Sequence, residues 1–326
     1  MFRFKDAVKF KEYKLLIFFS GIIISFILGF TINGYIFANQ VSPRQENHQS
    51  GYKYISPLLE CSNVSANDNR NNKIREKVQD LINQEIDNKN ISFASIYLRD
   101  LNNGPWLGFN EKEKFSPASL MKVPLLISYL KLAETNPEIL TKKVINNDTS
   151  YENLTQNIVP LKQAEYGKTY TINELLTYII KYSDNSATNV LLDNIDPDIL
   201  NQVYSDLNLS IPADNQENYM NVLDYASFFR ILYNATYLDK TMSEKALSLL
   251  STSAFVNGIV AGVPSGVEVA HKFGERVIGD TKQLHDCGII YRKNSNYLVC
   301  IMTRGDDFQK MESSIKDFSK LIYDNF

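Results

Sequence analysis

Residues 115–126, FSPASLMKVPLL, place a serine three positions before a lysine at the start of an apolar run. Positions i and i+3 of a helix share a face, so the Ser119 hydroxyl and the Lys122 amine can meet there. A serine needs a neighbouring base to act as a nucleophile, and a lysine whose pKa is lowered by burial can be that base. The stretch therefore predicts a buried helix over about 119–132 that carries a reactive pair.

The Ser-x-x-Lys pattern alone is a weak signal, because this sequence repeats it at Ser128 to Lys131 and at Ser313 to Lys316. Those two repeats are typical of ordinary pairs on a helix surface. Ser119 differs because it follows a turn and opens an apolar helix, where the first backbone amides can stabilise an oxyanion. Further motifs are needed to support a catalytic role.

Two more polar motifs follow along the chain. Ser183-Asp184-Asn185 lies between two helical patterns, where a hydroxyl can relay a proton and an amide can hold a carbonyl, although such a tripeptide is more often a helix N-cap. Lys272-Phe273-Gly274 ends a predicted strand. A lysine there supplies positive charge, and Gly274 on an edge strand lets the backbone of a ligand approach closely.

In this order, the three motifs resemble those of the penicillin-recognising serine hydrolases, which include class A β-lactamases and the D,D-peptidases known as penicillin-binding proteins. The sequences around the first and third motifs, FSPASLMKVPLL and VAHKFGE, are most similar to class A enzymes. The resemblance covers roughly residues 75–326. It implies a serine hydrolase that forms an acyl-enzyme and needs neither cofactor nor metal.

The resemblance also implies a role for each matching residue. Ser119 would be the acylated nucleophile, and Lys122 would take its proton. Ser183 would pass a proton to the leaving nitrogen. Asn185 would bind the amide on the acyl side of the substrate, and Lys272 would provide positive charge for the substrate carboxylate.

The remaining matches concern the oxyanion and the neighbours of the motifs. The backbone N–H groups of Ser119 and Glu275 would form the oxyanion hole. Asp184 and His271 are expected to support the structure. Arg276 could add recognition of a substrate carboxylate, but it is interpreted as a surface residue.

Two departures from the family pattern affect specificity and turnover. Phe273 stands where a threonine or serine usually hydrogen-bonds the substrate carboxylate, which predicts altered specificity rather than inactivity. The Glu-x-x-Leu-Asn motif that supplies the deacylating base of class A enzymes is absent, and Glu217 is only a weak candidate for that role. Without a positioned base, hydrolysis of the acyl-enzyme should be slow.

Three functions remain open from the sequence. The preferred one is a class A β-lactamase-like hydrolase that is acylated by β-lactams and releases them slowly. The alternatives are a D,D-peptidase or other serine hydrolase acting on peptidoglycan stem peptides, and a non-catalytic β-lactam sensor. The expected partner is accordingly a β-lactam or a stem peptide.

Composition excludes several other classes. Of the 326 residues, 44% are hydrophobic and 22% are charged, which fits a globular domain and not a collagen, a disordered chain or a polytopic membrane protein. The net charge is −3, and the basic residues that precede the first apolar run leave the rest more acidic, which argues against a nucleic-acid partner. Three cysteines and three histidines without a paired spacing predict no metal site. We expect a monomer.

The N-terminal region predicts a membrane anchor. Residues 15–38 are uncharged and long enough to cross a bilayer, and the basic residues before them place residues 1–14 in the cytoplasm. A cleaved signal peptide is the alternative, but its apolar region would be unusually long, and Ile36 stands where a small residue is preferred before a cleavage site after Ala38. Residues 39–72 are rich in Asn, Ser and Gln and predict a flexible polar tether. The catalytic domain is expected over 73–326, outside the cytoplasm at the cell membrane, with a helical subdomain over about 119–255.

The order of the predicted elements gives the fold class. A helix and two strands precede the helical middle, and three strands and a helix follow it. This order predicts an α/β fold (an α+β sandwich): a five-stranded antiparallel sheet from both chain ends, flanked by helices, with an all-helical middle subdomain.

The last two strands predict the state of two cysteines. A four-residue loop over 293–296 places Cys287 and Cys300 on adjacent strands but not directly opposite. Unpaired, buried thiols are therefore expected.

Overall fold

A computed structural model describes residues 44–63, 69–102, 106–149, 156–210, 219–293 and 295–325. Nine strands lie in these ranges: β1 Arg44–His48, β2 Leu58–Asn63, β3 Phe93–Asp100, β4 Trp106–Phe109, β5 Lys143–Ile145, β6 Thr169–Thr171, β7 Glu268–Ile278, β8 Thr281–Tyr291 and β9 Tyr297–Gly305. The α-helices there are α1 Asn69–Asp87, α2 Lys122–Thr135, α3 Ile172–Thr177, α4 Asn185–Asp193, α5 Pro197–Asp206, α6 Val222–Tyr233, α7 Lys240–Leu250 and α8 Phe308–Asn325.

The main sheet is antiparallel and has the strand order β4-β3-β9-β8-β7. Strand β3 pairs with β9 along its whole length, from Phe93 opposite Arg304 to Asp100 opposite Tyr297. The sheet thus joins residues from both ends of the domain. The predicted fold class is confirmed.

The two faces of the sheet bury different cores, because successive side chains of a strand point to opposite faces. On one face Ile96 and Ile301 pack with Val78 of α1 and Phe318 of α8. On the other face, side chains such as Leu298 join the helical elements that lie between β4 and β7. The terminal helices therefore cover one face and the helical middle covers the other, as the element order indicates.

The prediction of a flexible tether over 39–72 is wrong for part of that range. Tyr54 and Ile55 are buried, and their backbone amides donate hydrogen bonds to the Glu244 carboxylate of α7. The amide of Ser56 donates to the carbonyl of Tyr233 at 2.7 Å. Although this region is polar overall, its short apolar stretch at Tyr54 and Ile55 is sufficient to pack it against the domain.

The predicted anchor over 15–38 and the tail over 1–14 lie outside the described residues. Within the described ranges, no helix is both long and apolar enough to cross a membrane.

The hairpin of β8 and β9 differs from its predicted register. Pairing begins at Ile290 opposite Tyr297, so the connection is longer than the four residues expected. Cys287 consequently lies directly opposite Cys300, and a disulfide joins them. The prediction of unpaired thiols is therefore wrong. The hydrophobic pattern could not reveal the correct register, because a shift of two residues leaves every side chain on the same face of the sheet.

Candidate active site

The nucleophile turn begins one residue before the predicted serine. Residues Ala118–Met121 form a 3-10 turn, and α2 starts at Lys122. Ala118 has a left-handed backbone with φ of 50°, which turns the chain sharply before Ser119. Leu120 is fully buried and anchors the turn. The predicted helix is therefore present, but its first turn is tighter than an α-helix.

The Lys122 amine lies at the centre of the site. Its Nζ donates to Ser119 Oγ at 3.1 Å and to the carbonyl of Ser183 at 2.6 Å. It also contacts Asn185 Oδ1 at 2.7 Å and Ser183 Oγ at 3.3 Å. The structure thus brings the first and second motifs together around one nitrogen atom.

Burial changes the acidity of this amine. Lys122 is 3% exposed, and burial lowers the pKa of Lys122 from 10.5 to about 7. The negative charges of Asp184 and Glu275 oppose the change without cancelling it. A substantial fraction of neutral amine therefore exists at neutral pH, as a general base requires.

The second motif is held by an unusual helix ending. A π-helical segment, Tyr178–Tyr182, ends at Ser183, whose backbone is left-handed with φ of 58°. Asp184 then caps α4 by accepting from the amide of Ser186, and it also accepts from the amide of Ala164 at 2.7 Å. Burial raises the pKa of Asp184. Asp184 is therefore the N-cap of α4, while its neighbours Ser183 and Asn185 contact Lys122 in the site.

The third motif reaches the same hydroxyl from the sheet. Lys272 is fully buried, and its Nζ donates to Ser183 Oγ at 2.8 Å and to the carbonyl of Phe273 at 2.9 Å. Burial, followed by the nearby Lys122 charge, lowers the pKa of Lys272 well below its ordinary value, against the opposing effect of Asp286. Ser183 Oγ therefore lies between two amines, a position suited to relaying a proton.

Gly274 is required by the close approach of β7 to the nucleophile turn. A Cβ atom there would lie 2.6 Å from the carbonyl oxygen of Pro117 and 3.1 Å from the amide nitrogen of Leu120. A side chain cannot be accommodated without displacing backbone. This contact brings the backbone of Glu275 next to the Ser119 turn, as an oxyanion hole made of their amides would need, and that role stays a prediction.

The Phe273 ring does not project into solvent. It is 5% exposed and stacks on Phe255 with the ring centroids 4.2 Å apart. The Lys272 ammonium lies 4.2 Å from the Phe273 ring centroid. The residue that replaces the usual hydroxyl is thus built into the core beneath the site.

Other expected supporting residues have clear contacts. His271 Nδ1 and Asp286 Oδ1 are 2.8 Å apart and buried. The second oxygen of Asp286 accepts from the amide of Ile259 at 2.9 Å. His271 therefore packs and hydrogen-bonds below the site, as expected, while Arg276 is exposed and lines the cleft. Glu217 lies outside the described residues.

A pocket of about 360 Å³ opens beside the nucleophile. Its described lining includes the predicted site residues Ser119, Lys122, Asn185 and Glu275. Arg276, interpreted from the sequence as a surface residue, also lines the pocket. The sequence indicates no role for the other lining residues, which come mainly from α2, α4 and α5: Ala118, Met121, Leu125, Thr188, Leu192, Leu200 and Tyr204. No motif marks them, because apolar residues at helical spacing equally predict an ordinary core.

A further segment contacts both walls of the cleft. We call residues 156–164 the rim segment. Gln156 Nε2 donates to the carbonyl of Ser183 at 3.3 Å, and the amide of Ile158 donates to Glu275 Oε1 at 2.8 Å. The rim segment therefore connects the second motif with β7. Its sequence carries no signal for this role.

No group of three or more His, Cys, Asp or Glu side chains within the described part of the chain is arranged to hold a metal ion. The chemistry that the described side chains support is acyl transfer: a hydroxyl nucleophile, a neutral amine beside it and a second hydroxyl as proton relay.

Two known β-lactamases are similar to this chain in sequence. Beta-lactamase CTX-M-8 of Citrobacter amalonaticus is 25% identical over 221 residues, covering 63% of this chain and 73% of that protein. Beta-lactamase CTX-M-97 of Escherichia coli is 26% identical over 225 residues, with the same coverage of 63% and 73%.

Solved structures share the fold at lower identity. A PBP-A mutant in an acyl-enzyme complex with penicillin G aligns with a TM-score of 0.65 and 21% identity, covering 78% of this chain and 96% of that one. A class A β-lactamase from Mycobacterium abscessus aligns with a TM-score of 0.65 and 18% identity, covering 76% and 98%. The family model of the beta-lactamase enzyme family matches residues 73–326. The chain therefore belongs to the beta-lactamase enzyme family.

Proposed function

We propose that this protein is a serine hydrolase that is acylated on Ser119 by β-lactams and releases the acyl group slowly. The observation that carries the proposal is the 3.1 Å contact between Lys122 Nζ and Ser119 Oγ, made by an amine whose pKa is lowered to about 7. A PBP-A structure of the same fold is an acyl-enzyme complex with penicillin G, which supports the choice of ligand.

Acylation would use the three motifs in sequence. Lys122 takes the proton of Ser119 while Oγ attacks the lactam carbonyl, and the developing oxyanion is held by backbone amides. The carbon–nitrogen bond of the ring then breaks, and the nitrogen receives a proton through Ser183, which contacts both Lys122 and Lys272. No atoms leave, so the adduct carries the whole mass of the drug.

The expectation of slow release rests on the sequence, which lacks the Glu-x-x-Leu-Asn motif that supplies the base for water in class A enzymes. Glu275 is the one acidic side chain among the described residues that line the pocket, and its Oε1 is held by the Ile158 amide. Its Oε2 has no hydrogen-bond partner, so Glu275 is the described side chain that the measurement of release must test as an alternative base.

Intact mass spectrometry after brief treatment with benzylpenicillin tests the proposal. The full chain should gain one drug mass and keep it over many minutes, and Ser119→Ala should gain none. Ser313→Ala, which alters an exposed Ser-x-x-Lys serine, is the matched control and should behave as the unmodified chain. Absence of an adduct would contradict the β-lactam assignment, while rapid return to the original mass would contradict slow release.

The absence of the Glu-x-x-Leu-Asn motif from the sequence also supports the peptidase alternative. A D,D-peptidase would cleave a peptide ending in D-Ala-D-Ala in a Ser119-dependent manner while hydrolysing a chromogenic cephalosporin poorly. Running both assays on one preparation separates the two substrate classes.

We also propose that the domain works outside the cytoplasm, as the apolar run at 15–38 predicts. The Cys287–Cys300 disulfide supports this placement, because such bonds persist in oxidising compartments. Treatment of intact cells with a membrane-impermeant, amine-reactive reagent should label exposed lysines of the domain such as Lys316. Protection from the reagent until the cells are lysed would contradict the proposal.

A further inference from the structure

Strand β7 presents an anionic side chain to the pocket. Glu275 lines the pocket, its Oε1 accepts from the Ile158 amide, and its Oε2 is buried without a hydrogen-bond partner. Its charge reaches the centre of the site, since it raises the pKa of Lys122 against the effect of burial. A carboxylate with an unpaired oxygen stabilises a donor or cation nearby and repels another anion.

The lysine expected to bind a substrate carboxylate is already engaged. An ammonium has three protons, and Lys272 directs two of them to Ser183 Oγ and the Phe273 carbonyl. The nitrogen atom also lies 4.2 Å from the centroid of the Phe273 ring. Lys272 is fully buried and is not among the described residues that line the pocket. One of its three protons therefore remains for an incoming anion, which limits its hold on a substrate carboxylate.

The charges along β7 balance each other at the pocket. Arg276 lines the same pocket as Glu275, so this wall carries one positive and one negative side chain. Phe273 adds no hydroxyl donor, because its ring is buried against Phe255. The Glu275 carboxylate therefore offsets the Arg276 charge on the pocket wall, and Phe273 supplies no neutral donor beside them.

We propose that Glu275 is a specificity-determining residue that favours acyl donors without a carboxylate beside the scissile bond, so that neutral or cationic ligands react faster than acids. This inference rests on the proposed function, since it concerns the ligand that acylates Ser119. It assigns to the side chain of Glu275 a role distinct from that of its backbone amide.

The test compares acylation of the full chain by benzylpenicillin and by its uncharged methyl ester, measured as rates of adduct formation by intact mass. The quantity of interest is the acid-to-ester rate ratio, because an altered Lys122 pKa would change both rates together. We expect a ratio near or below one for the unmodified chain. Glu275→Gln should raise the ratio about tenfold, the effect of removing one nearby charge.

A control and a second measurement guard against misfolding of the variant. Asp280→Asn removes the same charge from the exposed turn after β7 and should leave the ratio within about twofold. The rate with the uncharged ester is the second measurement, because a folded Glu275→Gln variant must still be acylated by it.

The outcomes separate the two proposals. A strong preference of the unmodified chain for the acid, or a ratio unchanged in Glu275→Gln, would overturn the specificity role alone. A Glu275→Gln variant that only slows release of the acyl group would show a base for hydrolysis and would likewise overturn it. No Ser119 adduct with either probe would overturn the proposed function and this inference together.

Discussion

At the scale of single residues, the site depends on how burial changes two amines. Lys122 and Lys272 are both enclosed, and burial lowers the pKa of each. The identities of these residues follow from the sequence motifs. Their burial does not, because it arises from the packing of α2, α4 and β7 around them.

The rate of acylation should follow the protonation state of Lys122. The neutral amine is the base, so below a pKa of about 7 the rate constant should fall roughly tenfold for each pH unit and should level off above it. Stopped-flow or mass-based measurement of acylation from pH 5 to 9 checks this expectation.

Two variants identify the group that titrates. Lys122→Met should lose the step near neutral pH and react about a hundredfold more slowly or worse. Lys316→Met, which alters an exposed lysine of a Ser-x-x-Lys repeat, should retain the full profile. A flat profile for the unmodified chain would contradict a role for Lys122 as base.

At the scale of secondary-structure elements, the contact between β7 and the nucleophile turn sets the geometry of the cleft. Gly274→Ala should force the strand away from Pro117, lower the free energy of unfolding by about 1–3 kcal/mol and slow acylation at least tenfold. Chemical denaturation and adduct kinetics measure the two effects.

Gly108→Ala is the matched control in strand β4. A Cβ atom there meets only the flexible side chain of Glu111, so stability should change by no more than about 0.5 kcal/mol. Equal effects of the two substitutions on acylation would contradict a specific role for the approach of β7.

The disulfide between β8 and β9 should stabilise the sheet. Cys287 and Cys300 are 13 residues apart, and closing a loop of that length in the unfolded chain is worth about 3 kcal/mol. Replacing both with alanine should lower the free energy of unfolding by about that amount. Reductant should destabilise the unmodified chain similarly and leave the double variant unchanged, and insensitivity of the unmodified chain would contradict this expectation.

At the scale of the whole molecule, a buried histidine should limit stability in acid. His285 Nε2 donates to the carbonyl of Ser116 at 3.0 Å, while its Nδ1 is buried without a partner. Burial lowers the pKa of His285 from 6.5 to about 4. The unfolded chain therefore binds this proton more readily, and stability should fall by roughly 3 kcal/mol between pH 6.5 and 4.

Denaturant unfolding at several pH values checks this dependence. His285→Gln keeps a side-chain donor but does not titrate, so its stability should fall less steeply below pH 6.5. His48→Gln, at the half-buried histidine of β1, should keep the steep decline. Parallel curves for His285→Gln and the unmodified chain would contradict the assignment.

The sequence predicts the overall fold and the residues that meet at the site well, because both depend on local patterns. Three motifs identify Ser119, Ser183 and Lys272, and alternation along the strands indicates a sheet with two buried faces. The pairing of Cys287 with Cys300 cannot be predicted from the hydrophobic pattern, because two strand registers that differ by two residues bury the same side chains. The contacts of Gln156 and Tyr54 were likewise hidden, since each depends on a distant partner and follows no periodicity.

The left-handed backbones of Ala118 and Ser183 have a consequence for the evolution of this protein. Each places an ordinary residue in a region that costs about 1–2 kcal/mol and that glycine occupies readily. Both residues lie in the turns that form the site. Replacing either with glycine would relieve its backbone strain and stabilise the protein, but it would also change a turn that positions the catalytic groups. Laboratory selection for thermal stability alone, without a screen for activity, would accumulate those glycines. The resulting protein would be more stable but less active, because its cleft would no longer hold the same shape.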